Sequence, residues 1–281
     1  MNDIQNPPKP PTDTTSTLDE LDRLIDVMRR LRDPETGCPW DVKQTFETIA
    51  PYTIEEAYEV ADAIARGDLT DIRDELGDLL LQVVFQSRIA EEAGQFDLGM
   101  VAKSIADKMV ARHPHVFGTD EDRPTASRQK EIWEDIKAAE RAKKGKAGVL
   151  DDVATGLPPM MRALKLQKRA ARVGFDWPDF AQLVDKLNEE VAELQVEIAA
   201  EPQDKAKLSD EVGDLLFVAV NMARKLGIDP ETALTDCNRK FERRFNYIEQ
   251  SLDKNNKSIS DASLDEMESL WQEAKQQQPT K

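Results

Sequence analysis

Apolar residues recur three and four positions apart along most of the chain, the spacing of a helix that buries one face. Leu18, Leu21, Leu24, Ile25, Met28 and Leu31 make the first such stripe. Thr17-x-x-Glu20 reads as a capping box in front of it, and Pro34 follows its end. The same periodicity predicts helices over 53–65, 71–93 and 98–112, with Gly67 and Gly94 closing the first two. It resumes over 157–172, 180–200, 207–226, 230–252 and 263–275. Strand-like alternation is scarce, so the predicted class is all-α. Between the two helical groups, residues 118–158 carry Asp, Arg, Pro, Lys and Gly clusters around one helical stretch, 129–143. This reads as a connector. The expected organisation is a disordered tail over 1–16, a helical domain over 17–117, the connector, a second helical domain over 159–275, and a frayed end over 276–281.

The two helical groups resemble each other. Glu55-Glu56-x-x-Glu59 returns as Glu189-Glu190-x-x-Glu193. Glu75-Leu76-Gly77-Asp78-Leu79-Leu80 returns as Glu211-Val212-Gly213-Asp214-Leu215-Leu216, and Lys108-x-x-x-Arg112 as Lys240-x-x-x-Arg244. Three motifs in one order, at offsets between 132 and 136 residues, indicate duplication. Cys38-Pro39-Trp40-Asp41 has a looser echo in Phe175-Asp176-Trp177-Pro178-Asp179.

The carboxylates carry the chemistry. Glu75 and Asp78 stand one turn apart on a helix whose neighbours (Leu76, Leu79, Leu80, Val83, Val84, Phe85) point in nearly every direction. A helix apolar all round is expected to be buried. Glu211 and Asp214 have the same setting. Glu56 with Glu59, and Glu190 with Glu193, repeat the spacing on the preceding helix. Packing the two helices face to face gathers four carboxylates per half. Such a group needs raised pKa values or a cation. Oxygen donors without His or Cys suit a hard ion, Mg²⁺ first and Mn²⁺ as the alternative. The competing structural reading, in which Thr53 and Glu56 form a capping box, weakens in the second half, where Leu187 replaces Thr53 and cannot cap.

Charge narrows the ligand. The net charge is −17 over 281 residues, which repels polyanions and argues against nucleic-acid binding. A small anion needs a local cation. Lys240 and Arg244 share a helix face, and Lys207 precedes Glu211 by one turn, so these three can clamp phosphate oxygens. The first half keeps Lys108 and Arg112 but has Asp71 in the place of Lys207. The C-terminal half is therefore the expected catalyst. His113 and His115 read as a structured turn around Pro114. A di-iron bundle requires Glu-x-x-His, and neither histidine follows a Glu by three. A nucleotide-sensing or docking protein without catalysis is the remaining alternative, and the three cations of the second half argue against it. The two cysteines, Cys38 and Cys237, form no CxxC pair, and the apolar run 215–220 is far too short to cross a bilayer. With no secretory-type apolar segment in the first residues, the expected compartment is the cytoplasm.

Ile54-Glu55-Glu56-Ala57-Tyr58-Glu59-Val60, Asp74-Glu75-Leu76-Gly77-Asp78, Arg112-His113-Pro114-His115-Val116-Phe117 and Lys240-Phe241-Glu242-Arg243-Arg244-Phe245 resemble the two-domain MazG nucleoside triphosphate pyrophosphohydrolases. The resemblance implies tandem helical units that form four-helix-bundle active sites across a homodimer. It implies hydrolysis of ribo- and deoxyribonucleoside triphosphates to the monophosphate and pyrophosphate. By this resemblance Glu190, Glu193, Glu211 and Asp214 bind Mg²⁺, while Glu189, Lys207, Lys240 and Arg244 serve the substrate site. Trp271 matches a position near the nucleotide, and Glu56, Glu59, Glu75 and Asp78 match the metal positions of the first domain. Phe46 stands where many members carry histidine. The expected mechanism is attack of water on the α-phosphorus, with Glu189 or Glu190 as proton acceptor.

Overall fold

The computed structural model describes residues 16–118, 125, 128–129, 132–133, 136, 139 and 148–277. Its described residues form helices, turns and loops, with no strand among them. Most of the 129–143 stretch read as a connector helix lies outside the described residues, as do residues 1–15 and 278–281 of the two expected tails.

The chain divides into two compact units, Met1–Glu134 and Asp135–Lys281, and the division falls inside the segment read as connector. The first unit contains α1 (Thr17–Leu31), α2 (Phe46–Arg66), α3 (Leu69–Glu92), α4 (Leu98–Arg112) and the short α5 (Pro114–Phe117). The second contains α6 (Pro159–Arg172), α7 (Phe180–Ala199), α8 (Lys205–Lys225), α9 (Pro230–Lys254) and α10 (Leu264–Gln276).

Caps explain most boundaries, and two differ from the sequence reading. Helix α1 starts under Ser16, whose hydroxyl accepts from the Asp19 backbone N–H while the Asp19 carboxylate accepts from the Ser16 backbone N–H, so the capping box sits one residue ahead of Thr17-x-x-Glu20. Helix α2 starts at Phe46 rather than at 53, under a Thr45–Thr48 box, and runs through Pro51. Pro51 follows the first turn closely, so few intrahelical donors are lost, yet a proline there masks the helical pattern. Thr53 is consequently mid-helix. Its hydroxyl bonds the Ile49 carbonyl and accepts from Gln86 Nε2 at 2.7 Å, which leaves Glu56 free of any capping duty. Asp68, Asp97, Asp179, Asp204, Asp229 and Ser263 cap α3, α4, α7, α8, α9 and α10 with side-chain acceptors.

In the first unit α3 is central, with α2, α1 and α4 packed along it. Met28, Ile49, Val84 and Phe85 form the buried cluster, flanked by Leu24, Ile25, Leu81, Ile89 and Leu98. In the second unit α7 and α8 pair as an antiparallel hairpin, α6 lies against α8 and α9, and α10 closes on α9. Leu164, Leu183, Val218, Val220, Ile248, Leu252 and Ala274 are buried there. The Gln167 amide donates to the Phe217 carbonyl at 2.8 Å and ties α6 to α8.

One expectation is corrected. Helices α3 and α8 are not buried all round. Leu76, Leu80 and Val83 on α3, and Val212, Leu216 and Phe217 on α8, are between 38% and 57% exposed. Within each unit the neighbouring helices cover part of each apolar circumference, and the rest faces outward.

The loop carrying the Cys38-Pro39-Trp40-Asp41 motif is held by one buried cation. Arg32, at the end of α1, makes a forked pair with Glu92 of α3, with Nη2 2.7 Å from Oε2. Its Nη1 donates to the Asp41 and Gln44 carbonyls at 2.6 and 3.2 Å, and its guanidinium lies over Phe85. The echo segment of the second unit is anchored in the reverse sense, by an acid. Asp176 pairs with Arg224 and Lys225 of α8, and Asp179 caps α7.

Burial pushes the Glu92 carboxyl up, but hydrogen bonds and charge from Arg32 and Arg88 outweigh it and hold the group below its usual range. An acid lowered on folding adds stability at pH above its unfolded value and loses it as pH falls through the lowered one. Arg32→Met should destabilise the first unit by about 2–3 kcal/mol at neutral pH, since it leaves a partly buried carboxylate unpaired. Thermal denaturation between pH 7 and pH 3 should also show a shallower acid loss in the variant than in the parent.

Candidate metal centre

A site forms in each unit where the two helices of a hairpin, α2 with α3 and α7 with α8, bring acidic residues together. On α7, Glu189, Glu190 and Glu193 occupy one turn. On α8, Glu211 and Asp214 do the same. Carboxylate oxygens of Glu190, Glu193 and Glu211 lie within 4.8 Å of one another. Glu190 is 3% exposed, and its Oε2 is buried with no hydrogen-bond partner. A buried carboxylate oxygen left unsatisfied costs a good part of its hydration free energy, so this atom calls for a cation. The donors are all carboxylate oxygens, the set a hard divalent ion takes. The residues therefore fit a metal ion.

Asp214 is exposed and stands outside that close group, but its charge acts on it. The Glu211 carboxyl is raised above its ordinary value, first by loss of hydration and then by repulsion from Glu193, Glu190, Asp214 and Asp210. In the first unit the close group is Glu56, Glu75 and Asp78, again within 4.8 Å. Glu59 adjoins it and is hydrogen-bonded to Glu56. Glu56 is raised by burial and by the charges of Asp78, Glu59 and Glu55, and Glu75 by burial, Glu59, Asp78 and Asp71, with Arg66 opposing.

The cations are arranged less tightly than the acids. Lys207 is exposed and lies 3.6 Å from Glu197, not from Glu211. Lys240 is exposed on α9. Arg244, one turn on, sits with its guanidinium 5.3 Å from the Trp271 ring centre. Trp271 also meets Phe241 at 5.3 Å, and Phe241 stacks on Phe245. Arg244 and Trp271 thus share one aromatic wall at the α9–α10 junction. In the first unit Asp71, at the Lys207 position, pairs with Arg66. His113 ends α4 with Nδ1 2.6 Å from the Met109 carbonyl and packs on Trp133, whose indole N–H donates to the Arg112 carbonyl. The two histidines sit in that turn, and the acidic groups suited to a metal contain neither.

One residue of the site escapes a reading of motifs alone. Lys186, one turn before the glutamates on α7, reaches Glu189 Oε1 at 2.7 Å and Glu190 Oε1 at 2.8 Å. Those hydrogen bonds raise its pKa, so it is held protonated. Its signal in the sequence was only a lysine three and four residues from two glutamates, a pairing common on any helix surface.

Fold and site together define a class: all-helical proteins built from two tandem units, each presenting a carboxylate cluster between paired helices. The MazG nucleotide pyrophosphohydrolase domain matches this chain twice, over residues 44–117 and 179–248. The chain belongs to that family. It is 50% identical over 261 residues to a nucleoside triphosphate pyrophosphohydrolase of Escherichia coli, covering 93% of this chain and 99% of that protein. It is 41% identical over 255 residues to the nucleoside triphosphate pyrophosphohydrolase/pyrophosphatase MazG of Thermotoga maritima, covering 91% of this chain and 95% of that one. The two matched segments contain the four motif pairs of acids on α2, α3, α7 and α8.

Crowded like charges make the metal-free protein pay in stability. Glu211→Gln should raise the melting temperature of the metal-free chain at neutral pH and shrink the further rise caused by Mg²⁺, read by differential scanning calorimetry with and without the ion.

Proposed function

We propose that this chain is a Mg²⁺-dependent nucleoside triphosphate pyrophosphohydrolase, acting on ribo- and deoxyribonucleoside triphosphates at the C-terminal unit. The observation that carries the reading is the convergence of Glu190, Glu193 and Glu211, with an unsatisfied buried oxygen on Glu190. Membership of the family and the printed activity of its E. coli and T. maritima relatives support the same chemistry.

Glu190, Glu193, Glu211 and Asp214 hold the ion. When bound, Mg²⁺ (or Mn²⁺) offsets phosphate charge and makes a nearby water more acidic. Lys207, Lys240 and Arg244 neutralise the remaining oxygens of the triphosphate. The exposed lysines have long, mobile stems and close on the substrate as it arrives. Trp271 lies against the nucleoside. Glu189, at the exposed rim beside buried Glu190, accepts the proton as water attacks the α-phosphorus. The α–β phosphoanhydride bond breaks, and the products are the nucleoside monophosphate and pyrophosphate.

The first unit is the weaker site in this reading. Its acids converge equally well, but Asp71 replaces a phosphate-facing lysine and is itself tied to Arg66. The protein works as a homodimer in the cytoplasm and binds no nucleic acid. The outward apolar faces of α3 and α8 support the dimer. So do Gly77 and Gly213, where an added Cβ would meet nothing within 4 Å. A glycine inside a helix costs about 1 kcal/mol against alanine, and it suits close approach of another backbone. A four-helix arrangement would pair each hairpin with that of a second copy. No helix among the described residues is long and apolar enough to cross a membrane, which is consistent with this setting.

A product assay over a panel of nucleoside triphosphates tests the reaction: pyrophosphate should appear with Mg²⁺ and not without it, and orthophosphate as the first product would refute the bond assignment. Glu193→Ala should lower turnover by a factor of about 10³ or more while the protein stays folded, since it removes a ligand of the ion. Glu59→Ala should cost less than about tenfold; an equal loss in both variants would make the first unit catalytic as well.

A further inference from the structure

The ammonium of Lys186 bridges two carboxylates at the mouth of the C-terminal cluster. Its bond to Glu190 is sheltered: the Glu190 side chain is 5% exposed and that of Lys186 31%. Only one of the two Glu190 oxygens is bonded to the ammonium, and the other is buried without a hydrogen-bond partner. A lysine preceding a glutamate by four residues is the weaker orientation of such a helical pair, so helix stability alone gives little reason for it. The first unit resolves the same crowding differently. The repeat register that aligns Glu56 with Glu190 sets Tyr52 against Lys186. Tyr52 turns to the Trp40 ring, 5.9 Å away, and an uncharged amide, Gln82 Nε2, approaches Glu56 Oε1 at 3.4 Å. Of the two clusters, the C-terminal one has a lysine bonded to its buried glutamate.

We propose that Lys186 is a built-in counter-cation of the C-terminal cluster, which occupies Glu190 while the divalent ion is absent and is displaced from it when the ion binds. This rests on the metal reading given above. Both cations need the Glu190 carboxylate, and two positive charges on one small carboxylate repel. The ammonium therefore competes with the free ion and weakens its binding. Affinity for the bare ion is kept low, and a triphosphate that brings the ion with it, adding negative charge, shifts the balance. Lys186 is accordingly a positioning residue that decides whether the ion enters alone or with the substrate.

The test uses the full chain carrying Glu56→Gln and Glu75→Gln, so that the C-terminal cluster alone is titrated. Mn²⁺ binding is followed by electron paramagnetic resonance at neutral pH without nucleotide. In that background Lys186→Met should bind Mn²⁺ roughly tenfold more tightly, as expected when a competing charged hydrogen bond is lost. Its metal-free melting temperature should fall while its Mn²⁺-induced rise grows. Lys186→Arg keeps the cation and should stay near the parent affinity. Lys186→Gln carries the same expectation as Lys186→Met and serves if the methionine variant does not fold. Unchanged or weaker Mn²⁺ affinity in the uncharged variants would overturn the proposal. A parent background that binds no Mn²⁺ would instead overturn the metal reading itself.

Discussion

Mutual repulsion among carboxylates forced together between two helices is the constraint around which the molecule is built. Glu190, Glu193 and Glu211 in one unit, and Glu56, Glu75 and Asp78 in the other, bring oxygens within 4.8 Å. No arrangement driven by stability alone would gather them, because each added charge raises the cost of the others. The carboxyls of Glu56, Glu75 and Glu211 are raised above their ordinary values, first by lost hydration and then by that repulsion. The rest of the fold keeps the acids from moving apart. Asp179 and Asp204 fix the starts of α7 and α8, the Gln167–Phe217 bond holds α8 to α6, and Asp176 locks the preceding loop to α8. In the first unit Arg32 and the Thr53–Gln86 bond do the corresponding work.

The two units solve one problem with different side chains, which is what a duplicated site under unequal demand produces. Lys186 and Lys207 of the second unit correspond to Tyr52 and Asp71 of the first. Each exchange removes a positive charge from the neighbourhood of the acids. The first unit has Arg66 on Asp71 and the amide of Gln82 beside Glu56 instead. The acidic skeleton is thus retained in both units, while Lys186 and Lys207 stand in the second alone.

Much of this was legible in the sequence, and the reasons differ by feature. Helices with a clear stripe and a cap, such as α4 and α7, were readable to within a residue or two because period and punctuation agree. The start of α2 was not, because Pro51 interrupts the pattern that Thr45 begins. The acids were legible through repetition: one such spacing is common on a solvated face, but the same spacings in both halves pointed to the side chains that converge in each unit. Full burial of α3 and α8 was over-read, since composition reports what a helix would cover and not whether one chain supplies the cover. The Arg32 clamp was invisible because its partner Glu92 lies sixty residues away, and Lys186 went unread because a lysine three and four residues before glutamates is common on any helix surface.

The central claim is that one divalent ion is held by acids from both helices of the C-terminal hairpin. Anomalous diffraction from crystals of the protein grown with Mn²⁺ tests it most directly. The account predicts a strong anomalous peak bonded to oxygens of Glu190, Glu193 and Glu211, with Asp214 drawn in or linked through water. Ordered density in which these side chains diverge and no peak lies among them, at an ion concentration that supports turnover, would contradict it.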